Sequence, residues 1–198
     1  MQTETLPTFQ NLIVWKKKTS AIPSMCRYSK SYQIIVFASK GRIPRTFNQL
    51  RIDPPLLKGY RPRDRGMLLT DLWDDIRELT SGYFAGKEVL RDSSGERIHK
   101  QQSPIALLLR VVLVSSLPTD LVFDPFAGTG TTLVVARQLQ RESIGIDVDP
   151  FNVELIEERL QENYSADLIE KFKPLYQHTE DLDQIWNSKT STCTGHIG

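Results

Sequence analysis

Cysteine is nearly absent from this chain: Cys26 and Cys193 are the two in 198 residues, far apart and with no CxxC spacing. That excludes a disulfide framework and a zinc knuckle, and it points to a reducing compartment. Long apolar runs are missing too. The longest, IALLLRVVLV from Ile105, is too short to span a bilayer and carries Arg110 in its middle. The start of the chain shows no signal-peptide pattern, so a cytosolic protein is expected. Histidine is scarce as well, with three residues, and none stands in a metal-binding cluster.

Net charge is almost lacking, at +1, but the balance conceals an asymmetry. Residues 1–65 hold 13 Lys/Arg against 3 Asp/Glu, and the remainder holds 12 against 21. A basic portion joined to an acidic one suggests that one surface faces a polyanion. The alternative is a solvated basic loop.

What is present is a chain long enough for one α/β domain, or a domain with an appendage. Asn11–Trp15 and Ser31–Ser39 are β-branched and aromatic, and predict strands. Residues 40–70 carry Pro44, Pro54, Pro55 and Pro62 among arginines, which predicts an irregular cationic segment. Leu69–Ile76 predicts a short strand. From Ser103-Pro104, read as N-cap and first helical position, Ile105, Leu108, Leu109 and Val112 form a helical stripe ended by Pro118. Leu121–Phe123 predicts a buried strand, the next helix turns Leu133, Ala136 and Leu139 inward, and Ser143–Ile146 predicts a second strand. Asp149-Pro150 starts a further helix, with Val153, Ile156 and Leu160 facing the sheet. This is one right-handed βαβ unit of a parallel sheet. After Asn163 the chain turns polar, and internal repeats are absent.

The turn in that unit is DPFAGTGTT, Asp124 to Thr132. A phosphate-binding P-loop needs GK[ST], and here Thr131-Thr132 follows Gly130. A dinucleotide fingerprint needs a third glycine, and none follows Gly130 at that spacing. A site for S-adenosylmethionine (AdoMet) needs neither. There Gly128 and Gly130 let the backbone approach the amino-acid part of the ligand, and Asp124 meets its ammonium group. Asp147, at the end of the second strand, is placed to accept from the ribose hydroxyls.

DPFAGTGTT, IGIDVDP and the upstream HKQQSPIALLLRVV together resemble the amino-methylating DNA methyltransferases of the permuted (β) class, which modify adenine N6 or cytosine N4. Within that family's HPTQKPxxLL segment, His99, Gln102, Pro104 and Leu107 match, whereas Lys100, Gln101 and Ser103 replace proline, threonine and lysine. Tyr32 and Gln33 stand where the family usually has His-Glu. The resemblance runs from about Asn11 to Asn163. It implies an α/β, Rossmann-like AdoMet-dependent methyltransferase fold with a mostly parallel sheet. The AdoMet site would comprise Gln102, Asp124, Pro125, Phe126, Ala127, Gly128, Thr129, Gly130, Thr131 and Asp147. Phe126 would line the adenine pocket or pack beneath it.

The resemblance also implies a [DNS]PP[YFW] tetrapeptide that activates the target amine and stacks on the flipped base. Asp53-Pro54-Pro55 is followed by Leu56, which offers no stacking face, so a loop prolyl pair is expected there and no catalytic residue is assigned. The chain is therefore expected to be the C-terminal portion of such an enzyme, incomplete at its N-terminus and partnered by DNA and a complementary N-terminal fragment. Its expected parts are a partial catalytic-side and basic region (1–70), an AdoMet-binding region (71–163) and a polar tail (164–198). Lys16, Lys17, Lys18, Arg42, Arg45, Arg61, Arg63 and Arg65 are candidates for DNA backbone contacts. Two other readings stay open: a non-catalytic AdoMet- or DNA-binding subunit, and an RNA guanine methyltransferase, whose DPFxGTG loop is similar but whose catalytic motif would lie downstream.

Overall fold

The computed structural model describes residues 7–18, 25–53, 63–79, 86–99, 102–162 and 164–187. Strands β1 (Thr8–Lys16) and β2 (Tyr32–Ser39) form an antiparallel pair, and β5 (Leu72–Trp73) adds to β1 in parallel. β3 (Arg51–Ile52) and β4 (Met67–Leu68) make a short antiparallel pair. β6 (Leu121–Asp124) and β7 (Glu142–Gly145) pair in parallel around helix α2 (Thr131–Gln138). The sheets are thus small and mixed, not one mostly parallel sheet.

Alternation explains how the β2-β1-β5 sheet is dressed. Ile13, Trp15, Ile35 and Trp73 point to one face and pack on Ala106, Leu107 and Val111 of helix α1 (Ile105–Ser115). Residues of the opposite parity, Leu12, Ile34, Val36 and Leu72, remain exposed. The β6–β7 pair behaves likewise. Val122 joins the core beneath α1 and α2, whereas Leu121, Phe123 and Ile144 face outward. Of the three residues expected to be buried, Leu121 and Phe123 are therefore exposed and Val122 alone turns inward. Among the described residues β6 pairs with β7 alone, and nothing covers its second face.

The helix starts differ in how they are satisfied. α3 (Pro150–Gln161) begins at Asp149, whose side chain accepts from the Phe151 amide, as the sequence predicts. Its inward residues are Leu155, Ile156 and partly buried Leu160, with Val153 exposed. α1 instead has Pro104 as its N-cap and no local side-chain cap. Its Ile105 amide is received by Glu88 Oε1 at 2.5 Å, across 17 residues of sequence.

Packing crosses both expected domain boundaries. β5 belongs to the same sheet as β1, so the division at residue 70 cuts through a strand pair. Residues 164–187 form two 3₁₀ segments (Ser165–Asp167, Glu170–Tyr176) and α4 (Leu182–Trp186). They bury Ile169, Tyr176, Ile185 and Trp186 in the main core beside Leu109, Leu113 and Val135, so this stretch is not a tail. The end STCTGHIG lies outside the described residues.

Two buried arginines join these layers. Arg110 forks onto Asp75 at 2.8 and 2.5 Å and donates to the Tyr176 hydroxyl at 3.2 Å. Burial raises the Asp75 carboxyl, and the hydrogen bonds and charge of Arg110 more than reverse this, leaving it below the usual carboxylate range. Arg141 donates to the carbonyls of Ser116, Leu139 and Trp186, gathering the C-terminal ends of α1, α2 and α4. Among the described residues no helix is long and apolar enough to cross a membrane.

Candidate functional site

The turn from β6 to α2 closes on β7 through three bonds. The Ala127 amide donates to the Ile146 carbonyl at 2.9 Å, Ile146 returns a bond to Asp124 at 2.9 Å, and the Gly128 amide donates to Asp147 Oδ2 at 2.8 Å. Gly128 and Gly130 both take left-handed backbone, with φ of 54° and 75°. Their surroundings differ. A Cβ on Gly128 would meet only the Phe126 carbonyl, at 3.9 Å, so this glycine opens onto the cleft. A Cβ on Gly130 would lie 2.6 Å from Ile156 Cγ1, so this glycine lets α2 seat against α3.

The cleft above the turn has a volume of about 320 Å³, within the range of small-ligand sites. Asp124, Phe126, Ala127, Gly128, Thr129, Thr131 and Asp147 line it, with Gln102, His99 and Leu108 on the α1 side. Pro125 and Gly130, the two remaining members of the expected set, do not. Phe126 stands at the rim, 88% exposed, and does not pack beneath the loop. The Gln102 side chain is already used: its Oε1 accepts from Leu90 N at 3.0 Å and its Nε2 donates to the Glu88 carbonyl at 2.7 Å. It holds the 86–99 loop against the head of α1.

Asp147 is the most constrained acid of the cleft. Oδ1 accepts from Asn152 Nδ2 at 3.0 Å and from the Asp149 amide at 2.9 Å, and Oδ2 accepts from Gly128. The Asn152 bond, joined by the two amides, holds its carboxyl below the usual carboxylate range. Three of roughly four lone-pair directions are thereby taken. In this arrangement one further hydrogen bond fits, not the two expected for a pair of ribose hydroxyls. Asp124 accepts from the Phe126 amide at 3.1 Å through Oδ1, which leaves Oδ2 for a ligand donor.

Among the described residues the lining contains two carboxylates and neither lysine nor arginine. A phosphate would face two carboxylates there, whereas an ammonium or a sulfonium would meet partners. The residues present therefore fit AdoMet.

A second hollow, of about 630 Å³, adjoins the first and shares Ser103 and Leu108 with it. It is bounded by Trp15, Lys30, Tyr32 and Gln33, so the end of the β1–β2 hairpin stands beside the first cleft. Sequence reading did not join these residues to the site, because no local pattern relates the hairpin to α1. Trp15 and Trp73 are buried core residues, with their indole N–H groups on the Ile76 and Thr70 carbonyls.

The basic candidates separate. Lys16 and Lys18 are exposed at the hairpin end near the cleft, and Lys17 lies 5.9 Å from the Trp15 ring. Arg42, Arg63 and Arg65 are exposed. Arg45 pairs with Asp120 at 2.5 Å, before β6 begins and so at the end of that strand opposite the glycine loop. Arg61 lies outside the described residues, as do Pro54 and Pro55. Asp53 accepts from Gln177 Nε2 at 3.1 Å and does not line the cleft, in keeping with a loop role. Among the described residues no group of three or more His, Cys, Asp or Glu could hold a metal.

A short parallel βαβ unit with its glycine turn and an acid at the next strand end defines an α/β fold of the AdoMet-dependent DNA methyltransferase type. The solved PvuII DNA methyltransferase, described as cytosine-N4-specific, matches with a TM-score of 0.55 at 19% identity over 86% of this chain and 57% of its own. The M1.HpyAVI–SAM complex matches with a TM-score of 0.50 at 22% identity, over 78% and 63%. The chain belongs to the N6/N4 DNA methylase family, whose model matches residues 5–158. Among its curated relatives, type II methyltransferase M.HinfI of Haemophilus influenzae is 32% identical over 77% of this chain and 39% of its own length. M.HpaI of Haemophilus parainfluenzae is 32% identical over 80% and 47%. The chain thus spans less than half the length of these two relatives.

Proposed function

We propose that this chain carries the AdoMet-binding part of a β-class DNA amino-methyltransferase acting on adenine N6 or cytosine N4. The observation that carries this reading is the charge of the cleft: Asp124 and Asp147 beside a bare Gly128, with no lysine or arginine among the described lining residues. Asp124 would meet the ammonium group, the open backbone at Gly128 the amino-acid part, and Asp147 one ribose hydroxyl. The Phe126 ring at the rim would cover the adenine. Bound there, the sulfonium supplies an electrophilic methyl group.

The adjoining hollow at Lys30, Tyr32 and Gln33 would present the acceptor base, with Lys16, Lys18 and Lys30 along the DNA backbone. The amine activator is assigned to a complementary polypeptide. Asp53 turns to Gln177, and no [DNS]PP[YFW] sequence occurs in this chain. The bare outer faces of both sheets favour the same partition, since a doubly wound α/β fold covers both faces of its sheet.

Calorimetry with AdoMet tests the reading. Wild-type protein is expected to bind in the micromolar range, and Asp147→Ala to lose binding while still folding. No heat with the wild type would overturn it. Methyl transfer to mixed-sequence DNA is expected only when the complementary polypeptide is added. Transfer by this chain alone would refute the partition.

A further inference from the structure

We propose that Arg159 and Asp167 are positioning residues that clamp the glycine loop into its cofactor-receiving shape; the proposal rests on the AdoMet reading above. Arg159, on α3, is 2% exposed. Its Nε and Nη2 fork onto the Asp167 carboxylate at 3.1 and 2.8 Å. Its Nη1 donates to the Thr129 carbonyl and reaches Thr131 Oγ1 at 3.5 Å.

Thr129 is the residue between the two left-handed glycines, where the backbone has the least intrinsic preference for one path. It lines the cleft, and Arg159 does not, so the guanidinium draws the Thr129 carbonyl away from the ligand side. A buried guanidinium leaves its remaining donors unsatisfied if its carboxylate partner is lost, so the two contacts are coupled. Asp167 is itself fixed. Gln138 of α2 donates from Nε2 to the Asp167 carbonyl at 2.9 Å and accepts from the Ile169 amide at 3.1 Å. The loop is thereby braced from behind by α2, α3 and the Ser165–Asp167 turn at once.

Arg159 and Asp167 both lie past residue 158, where the family match ends. The segment that follows the matched span thus sets the geometry of the loop inside it.

The test compares AdoMet with 5′-methylthioadenosine, which keeps the adenine, ribose and sulfur but lacks the amino-acid part that the loop would receive. Binding is measured for wild type, Arg159→Lys and Asp167→Asn. Asp75→Asn serves as a control that weakens a buried arginine pair away from the cleft. Arg159→Lys and Asp167→Asn are expected to weaken AdoMet by about tenfold or more, the effect of losing a charge-assisted bond. Affinity for 5′-methylthioadenosine should stay within about threefold on the same scale. Asp75→Asn should lower the melting temperature and leave both affinities unchanged. Should Arg159→Lys fail to fold, Asp167→Asn carries the comparison, since it keeps the size of the side chain. Equal losses for the two ligands, or unchanged AdoMet binding in a cooperatively melting clamp variant, overturn the proposal. Wild-type protein that binds no AdoMet refutes the cofactor reading instead.

Discussion

At the level of single residues, the two loop glycines do different work although they look alike in sequence. Gly130 is forced by Ile156 behind it, and Gly128 by the open cleft in front. Gly130→Ala should cost about 2–4 kcal/mol, combining left-handed strain with overpacking. Urea unfolding would show this as a lowered midpoint with an unchanged slope. Gly128→Ala should cost only about 1–2 kcal/mol of strain, yet weaken AdoMet, because its methyl group enters the cleft. The reverse ranking in the two assays would refute the assignment. The loop itself was legible because turn glycines and the acid at Asp147 act over short sequence distances. Asn152 and Arg159 were not, since each reads as an ordinary polar residue on a helix until its partner is seen.

At the level of elements, α1 shows where local signals stop. Ser103-Pro104 resembles a helix start, but the cap comes from Glu88. Burial pushes the Glu88 carboxyl up, and the Ile105 amide only partly offsets this. The folded state therefore holds the proton to higher pH than the unfolded chain, whose glutamate titrates near about 4.3. Between that value and the raised one, stability falls as pH rises, and above the raised one it is level. Glu88→Gln keeps an acceptor for Ile105 and removes the titration. Its stability relative to wild type should therefore be higher at pH 7 than at pH 4. Chemical unfolding at the two pH values checks the sign, and an equal gap at both would rule the account out.

At the level of the molecule, the bare faces of the two sheets dominate. Leu12, Ile34, Val36 and Leu72 on one, and Leu121, Phe123 and Ile144 on the other, form apolar surface that water does not favour. The isolated chain is expected to self-associate in sedimentation velocity as concentration rises through the micromolar range. Ile34→Lys with Val36→Lys should reduce that association and leave AdoMet binding unchanged. A wild-type monomer throughout would show that these faces tolerate solvent.

The amino-acid order alone supplied the strands of the hairpin, the three main helices, the glycine turn and Asp147, because period, caps and turn residues act between neighbours. Folding in three dimensions supplied the rest: the Glu88 cap, the hairpin end beside the cleft, and the Arg159–Asp167 brace, whose aspartate lies in a stretch that reads as a polar tail. Those depend on contacts between segments far apart in the chain, where a buried charge or amide takes whichever partner packing brings to it.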